Sequence, residues 1–234
     1  MSNFTRVLPV HGTWGFPAKR GDWWQKDSAL SWYFLRHGIG HLRPEDEFCW
    51  SGDAGGLRWP FGKNRSHTDW QAGGKALRWY LRDGRERRNY VRVAERRVIS
   101  HSHGLAPVLY ACAEGLWLDR LVSVTAPIRA DMAEIARRAR PNIGTWVHVH
   151  TDADKMQIFG AMLDGVVGIH RKAEWKHADG NITRADEQIK IPGVGHSGLL
   201  NNSEKFYWWE DAGLIPFLKE PTPCHTLTTP TLST

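Results

Sequence analysis

The fold is indicated most directly by the segment Val98-Ile99-Ser100-His101-Ser102-His103-Gly104-Leu105. Apolar β-branched residues lead into a run of small and polar ones, and residues 105–115 are small and apolar enough for a buried helix. This order predicts a strand, a tight turn and a helix, in which the turn strains its central residue and lifts the hydroxyl of Ser102 clear of the sheet. The flanking residues must be small, because the two backbones nearly touch there. Ser102 is therefore our candidate nucleophile, and the amide of His103, at the start of the helix, is a candidate oxyanion donor.

Outward from this stretch, strand-like and helix-like segments alternate along the chain. Strands are predicted at 6–10, 47–50, 97–99, 121–124, 145–150 and 188–191, and helices at 28–37, 68–82, 105–115, 130–140, 156–163 and 204–219. The alternation predicts an α/β fold, a mostly parallel central sheet with helices on both faces. Because no break in composition divides the chain, we expect one domain over 1–219, followed by a Pro/Thr-rich tail at 220–234.

Composition excludes several classes of protein. With 234 residues, 41% hydrophobic and 24% charged, the chain is globular, and its 3 cysteines without a CxxC pair argue against disulfide scaffolds and thiolate zinc sites. Part of the net charge of +6 lies in an arginine-rich run at 82–97, which we interpret as a solvated helix end and loop rather than a phosphate-binding patch. No nucleic-acid-binding signature accompanies the run, so no nucleic acid partner is expected. We see no signal peptide or membrane span, and expect a cytoplasmic protein.

Three further segments at strand ends carry groups that complement Ser102. His11-Gly12-Thr13-Trp14-Gly15 follows the first strand, and its glycine allows the amide of Thr13 to point into a neighbouring cleft as a second oxyanion donor. His196 lies between glycines on a late loop, where a mobile general base is expected. Asp154 or Asp152, after the strand at 145–150, would orient that histidine, and we favour Asp154 because it lies where the loop turns into a helix.

Ser102, Asp154 and His196 follow one another as nucleophile, acid and base, each at the carboxyl end of a strand. In this respect the chain resembles the α/β-hydrolase family over roughly residues 5–215. Its Val98–Gly104 stretch is similar to the family's elbow in a His-Ser-His-Gly form, with Ser100 in place of the usual first glycine. The resemblance implies a small lipase-like or esterase-like serine hydrolase with a catalytic triad, an oxyanion hole and no cofactor.

The resemblance also implies a small-molecule ester substrate, cleaved through an acyl-enzyme. Trp14, and with less support Trp23 and Trp24, would line an apolar pocket, although core packing is about as good an interpretation. Two alternatives remain at this stage. One is a metal-dependent hydrolase that uses His148, His150 and Asp152, which have metal-ligand spacing; the other is a non-catalytic binding protein that keeps the fold.

Overall fold

The computed structural model describes residues 5–12, 22–42, 47–50, 67–82, 95–126, 130–151, 154 and 185–221. Within these ranges the chain forms one sheet, whose strands are β1 (Thr5–Val10), β2 (Ile39–His41), β3 (Arg97–His101), β4 (Leu118–Val124), β5 (Ile143–His150) and β6 (Glu187–Lys190). Their spatial order is β2-β1-β3-β4-β5-β6, and every neighbouring pair is parallel. The predicted parallel sheet is confirmed.

Helices follow most of these strands. They are α1 (Ala29–Arg36), α2 (His67–Arg82), α3 (Leu105–Ala113), α4 (Ala133–Ala139), α5 (Gly198–Asn201), α6 (Trp208–Asp211) and α7 (Leu214–Lys219). The start of α1 has a side-chain cap, since Ser28 Oγ accepts a hydrogen bond from the Ser31 amide at 3.0 Å. No helix in the described ranges is long and apolar enough to cross a membrane.

The sheet separates two hydrophobic cores. Successive strand residues point to opposite faces, so Val98 packs with α2, α3 and α4, whereas Ile99 packs with α1 and α5–α7. Leu121 and Val122 of β4 repeat this division. Helices therefore cover both faces, as expected for a parallel sheet whose strands are buried on both sides.

One predicted strand is wrong. Residues 47–50 are irregular, and the edge of the sheet is formed instead by β2, which pairs with β1. Phe48 and Trp50 are buried while Glu47 and Cys49 are partly exposed, so the segment has the period-2 burial of a strand without the ladder. Periodicity reports which side chains are buried and cannot distinguish a strand from an extended segment that packs on a sheet.

The predicted final helix at 204–219 is also wrong as a continuous element. Gly213 adopts φ +69°, in the left-handed region, and this residue separates α6 from α7. The apolar residues at helical spacing are nonetheless buried, with Trp209 and Leu214 among the best covered in the second core. The segment is thus a pair of short helices around a glycine.

The first residues of the predicted tail contact the sheet. Two buried arginines on adjacent strands hold this part of the main chain: Arg97 donates to the Glu220 carbonyl at 3.0 Å and Arg120 to the Pro221 carbonyl at 3.2 Å. Residues 222–234 lie outside the described ranges.

The order of the strands determines where a site can form. From β1 the chain passes to β2 on one side, while β3, β4, β5 and β6 follow in sequence on the other. The carboxyl ends of β1 and β3 therefore flank the point where the winding reverses, and in open α/β sheets ligands bind in the crevice at such a point. His11 and Gly12 follow β1, and Ser102 follows β3.

The first prediction concerns the contact that joins these two strand ends. A Cβ at Gly104 would lie 2.3 Å from the His11 carbonyl oxygen and 2.5 Å from that of Val10, which are backbone atoms that cannot rotate away. We expect Gly104→Ala to lower the free energy of unfolding by about 3 kcal/mol, at the upper end of overpacking costs, measured by urea denaturation.

The matched control is Gly195→Ala, because a Cβ at Gly195 meets no described atom within 4 Å. It should change the free energy of unfolding by less than about 0.5 kcal/mol. Equal stability of the Gly104→Ala variant and the wild type would show that β1 and the turn after β3 are not in contact as described.

Candidate active site

The turn after β3 holds Ser102 in a strained conformation. Its φ is +51°, and among the described residues Thr125 is the one other non-glycine residue with a positive φ. Left-handed backbone costs a non-glycine residue about 1–3 kcal/mol and is concentrated at functional sites. Ser102 begins a 3₁₀ turn, Ser102–Gly104, that leads directly into α3. The predicted order of strand, tight turn and helix is confirmed.

Ser100 occupies the position before the turn where a first glycine was expected. It is fully buried, and its Oγ has no hydrogen-bond partner among the described residues. Its backbone lies between β1 and β4, where it pairs with Val10 and Ser123.

The end of β1 packs directly against the turn. A Cβ at Gly12 would lie 3.0 Å from the Ser102 Cβ and 3.2 Å from the His101 carbonyl oxygen, so glycine permits this close approach. The residue that follows Gly12 is Thr13, whose amide we predicted as an oxyanion donor. Thr13 and Trp14 both lie outside the described residues.

His11 and Trp50 stabilise the backbone beside Gly12. The Trp50 indole N–H donates to the His11 carbonyl at 2.7 Å, and its ring stacks on the His11 imidazole with centroids 5.7 Å apart. His11 Nδ1 donates to the Gly12 carbonyl at 2.7 Å, and burial lowers the pKa of His11 to about 4. Trp50 was not predicted as part of the site, because its sequence neighbourhood indicates only a buried strand.

Asp154 and His196 lie in direct contact. The Asp154 carboxylate accepts a hydrogen bond from His196 Nδ1 at 2.7 Å, and the two side chains are 5% and 12% exposed. Because a carboxylate only accepts, Nδ1 carries the proton and Nε2 of the neutral ring is left as the acceptor. The structure thus joins two of the predicted site residues, from the loops after β5 and β6, whereas Asp152 lies outside the described residues.

Three polar side chains at strand ends hold the loop that carries His196. Thr125, after β4, donates from Oγ1 to the His196 carbonyl at 2.6 Å, and His101 Nε2 contacts the same oxygen at 3.1 Å. Thr151, after β5, donates to the Val194 carbonyl at 2.5 Å. None of these contacts was predicted. Thr125 and Thr151 do carry a signal that sequence reasoning could have used, because each is a polar residue directly after a buried strand.

Aromatic rings pack closely around the site histidines. Trp23 meets His101 edge-on with centroids 5.8 Å apart, and Trp24 meets His11 at 4.9 Å. Both tryptophans are buried, at 6% and 4% exposed. The ring of His103 stacks on Trp70 at 5.8 Å. Of the two interpretations of Trp23 and Trp24, this burial favours packing that supports the site over the open wall of a pocket.

The residues of the alternative metal site form a different arrangement. His148 is fully buried and its Nδ1 bonds to Ser123 Oγ at 2.9 Å, while the His148 and His150 rings stack with centroids 5.8 Å apart. In the part of the chain that the structure describes, no group of three or more His, Cys, Asp or Glu side chains is placed to hold a metal ion. Asp152, the third predicted ligand, lies outside those residues.

Comparison with known proteins identifies the fold. No family model and no curated protein sequence matches the chain. A CIB-like hydrolase from Thermoplasma acidophilum has a similar structure, with a TM-score of 0.52 and 15% identity over 92% of this chain and 88% of its own. A dienelactone hydrolase-like promiscuous phosphotriesterase from metagenomic libraries has a TM-score of 0.50 and 14% identity over 92% and 86%. The α/β-hydrolase fold is confirmed.

Burial affects the pKa of two histidines at strand ends, His11, which is buried, and His41, which is partly buried. Burial lowers the pKa of His11 and of His41 to about 4, whereas a histidine in an unfolded chain titrates near pH 6.5. Below that pH the unfolded chain binds protons that the folded chain does not. The stability that the two neutral histidines contribute is therefore fully present above pH 6.5 and is lost as the pH falls towards 4. We expect the free energy of unfolding, measured by urea denaturation, to fall between pH 6.5 and 4.5.

His41→Gln isolates one histidine from the other acid-sensitive groups, because glutamine does not titrate. The pH profile of this variant should be shallower than that of the wild type by up to about 1.4 kcal/mol per pH unit, the slope for one proton. Parallel profiles for the two proteins would show that His41 does not remain neutral in the folded state.

Proposed function

We propose that the chain is a serine hydrolase that cleaves carboxylic esters, with Ser102 as nucleophile, His196 as general base and Asp154 as the acid that orients His196. The observation that carries the proposal is the 2.7 Å hydrogen bond between Asp154 and His196 Nδ1. It leaves Nε2 of His196 as a proton acceptor, on a loop that contacts His101, the residue directly before the strained Ser102.

The chemistry that we propose is acyl transfer in two steps. His196 Nε2 removes the Ser102 hydroxyl proton as Oγ attacks the ester carbonyl carbon, and Asp154 stabilises the imidazolium that forms. The imidazolium gives that proton to the departing alkoxide, which leaves as the alcohol. A water molecule, deprotonated by the same imidazole, then attacks the acyl carbon. As the bond to Ser102 Oγ breaks, the imidazolium returns the proton to Oγ and the carboxylic acid is released.

Two main-chain amides would stabilise the tetrahedral oxyanion. The amide of His103 lies at the turn into α3, and that of Thr13 follows Gly12, which packs against Ser102. In comparable sites the loss of one such donor costs about 2.7–4 kcal/mol of transition-state stabilisation. The contacts of His11 and Gly12 hold the backbone that leads to Thr13, and such preorganisation would limit rearrangement during the reaction.

The two structural neighbours described above have hydrolase or hydrolase-like in their names, and this supports the class of reaction. Esters are the substrates that we favour, because an alcohol leaves more readily than an amine and a simple triad suffices. We propose small-molecule esters and a cytoplasmic location, with Trp14 beside the acyl group. Neither a cofactor nor a nucleic acid enters the proposal.

The third prediction tests the nucleophile. A fluorophosphonate should label the chain once, at Ser102, as located by mass spectrometry of the digest. The wild type should hydrolyse p-nitrophenyl esters of graded chain length, and Ser102→Ala should lose this activity by about 10⁶-fold with an unchanged melting temperature. Ser203→Ala, at an exposed serine, is the matched control and should behave as wild type.

The same assay separates the two alternatives. Activity that a chelator abolishes, together with no labelling of Ser102, would favour the metal-dependent hydrolase. A folded chain that neither hydrolyses these esters nor reacts with the fluorophosphonate would favour the binding protein. Unchanged esterase activity in Ser102→Ala would refute the assigned nucleophile.

The fourth prediction concerns Asp154. Asp154→Asn keeps the size of the side chain but removes the charge that stabilises the imidazolium, and it favours the wrong tautomer of His196. By analogy with triads of this kind, kcat should fall by about 10⁴-fold at neutral pH. Asp211→Asn, at an exposed carboxylate, is the control and should leave kcat unchanged. A wild-type kcat in Asp154→Asn would mean that another group orients the base.

A further inference from the structure

We propose that Thr125 and His101 are positioning residues, which align His196 for proton transfer by holding its main-chain carbonyl. This inference rests on the proposed function, in which His196 is the general base. It adds a second attachment to the base, through its backbone, beside the attachment of its ring to Asp154.

The His196 carbonyl receives two side-chain contacts from two adjacent strands. Thr125 Oγ1, at the end of β4, donates at 2.6 Å, and His101 Nε2, at the end of β3, lies at 3.1 Å. Since a carbonyl only accepts, Nε2 of His101 carries the proton. The two donors converge on one oxygen of a loop that has glycine at 193 and 195, and they restrict a backbone that these glycines leave free to adopt many conformations.

Thr125 makes this contact at a cost in backbone energy. Its φ is +44°, which is strongly disfavoured for a β-branched residue. The ladder hydrogen bond from its amide to the Val149 carbonyl, 2.7 Å, holds it there. The two non-glycine residues with positive φ in the described ranges are thus Ser102 and Thr125, one the proposed nucleophile and the other bound to the proposed base. Strain retained at both positions is typical of a site whose geometry matters for function.

His101 is suited to hold the base and unsuited to replace it. Its ring lies 4.7 Å from that of His196, centroid to centroid, and Trp23 packs against it. Burial, with a smaller contribution from His196, lowers the pKa of His101 well below its usual range. A neutral His101 donates to the carbonyl without placing a second positive charge beside the imidazolium. The lowered pKa also makes the imidazole of His101 a weak proton acceptor.

Proton transfer is sensitive to small displacements of the base. A shift of about 1 Å in a reacting group can cost about 10²-fold in rate. In the proposed mechanism His196 moves a proton and does not hold the substrate. Contacts at its carbonyl and at Nδ1 restrict both the backbone and the ring of His196, and so fix the position of Nε2. Removing one donor should therefore reduce kcat and leave KM nearly unchanged.

The experiment compares Thr125→Val with Thr125→Ser. Valine keeps the shape and removes the hydroxyl, so kcat for a p-nitrophenyl ester should fall by about 10–100-fold, with KM within about twofold of wild type. The rate of Ser102 labelling by a fluorophosphonate should fall in parallel. Thr125→Ser restores the donor and should retain at least half of the wild-type kcat. Thr145→Val, near the amino end of β5, is the control for the substitution itself.

His101 gives a second, independent pair of variants. His101→Gln can place an amide donor near the carbonyl, whereas His101→Phe keeps a ring and has no donor, so Phe should lower kcat more than Gln. If Thr125→Val does not fold, this pair decides the proposal. Wild-type kcat and labelling rate in the folded donor-less variants would overturn it, as would equal losses in Thr125→Val and Thr125→Ser. Full activity in Ser102→Ala would instead overturn the proposed function, so the two failures are distinguishable.

Discussion

The contact between the turn after β3 and the end of β1 determines the geometry of the whole site. Gly104 lies against the carbonyl oxygens of Val10 and His11, and Gly12 lies against Ser102, so neither backbone can move without the other. This close packing holds Ser102 in left-handed backbone, which a serine in a free loop would leave. The elements behind it, β1 and β3, are central strands buried on both faces, and they provide the stability that offsets the strain.

The other site residues also lie at the carboxyl ends of the strands. The loop that carries His196 is bound by residues in or after adjacent parallel strands. Asp154 binds the ring of His196, and Thr125 and His101 bind its main-chain carbonyl. Thr151 binds the carbonyl of Val194. A loop rich in glycine is thereby held at several points by a rigid scaffold. His196 lies between glycines, yet these contacts hold it in one position. A general base must be held within hydrogen-bond reach of the proton that it removes.

Sequence patterns predicted the parts of this structure that depend on local chemistry. The small residues around Ser102 indicated the tight turn, the position of Asp154 after a buried strand indicated the acid, and the glycines on either side of His196 indicated the base. The erroneous strand at 47–50 and the continuous helix at 204–219 share one cause, because hydrophobic periodicity reports burial and not hydrogen bonding. Contacts such as Trp50 to His11 and Thr125 to His196 join residues 39 and 71 positions apart. Such contacts depend on the order of the strands, and no local pattern encodes that order.

The account as a whole requires the His196 imidazole to face the Ser102 hydroxyl across the crevice at the ends of β1 and β3. The most direct measurement is a crystal structure of the chain after reaction with a phosphonate ester. We expect phosphorus bonded to Ser102 Oγ, His196 Nε2 within hydrogen-bond distance of that oxygen or of the leaving-group position, and the phosphonyl oxygen directed at the amides of Thr13 and His103. An adduct on another residue, or a His196 ring turned away from Ser102 with Asp154 still bound, would contradict it.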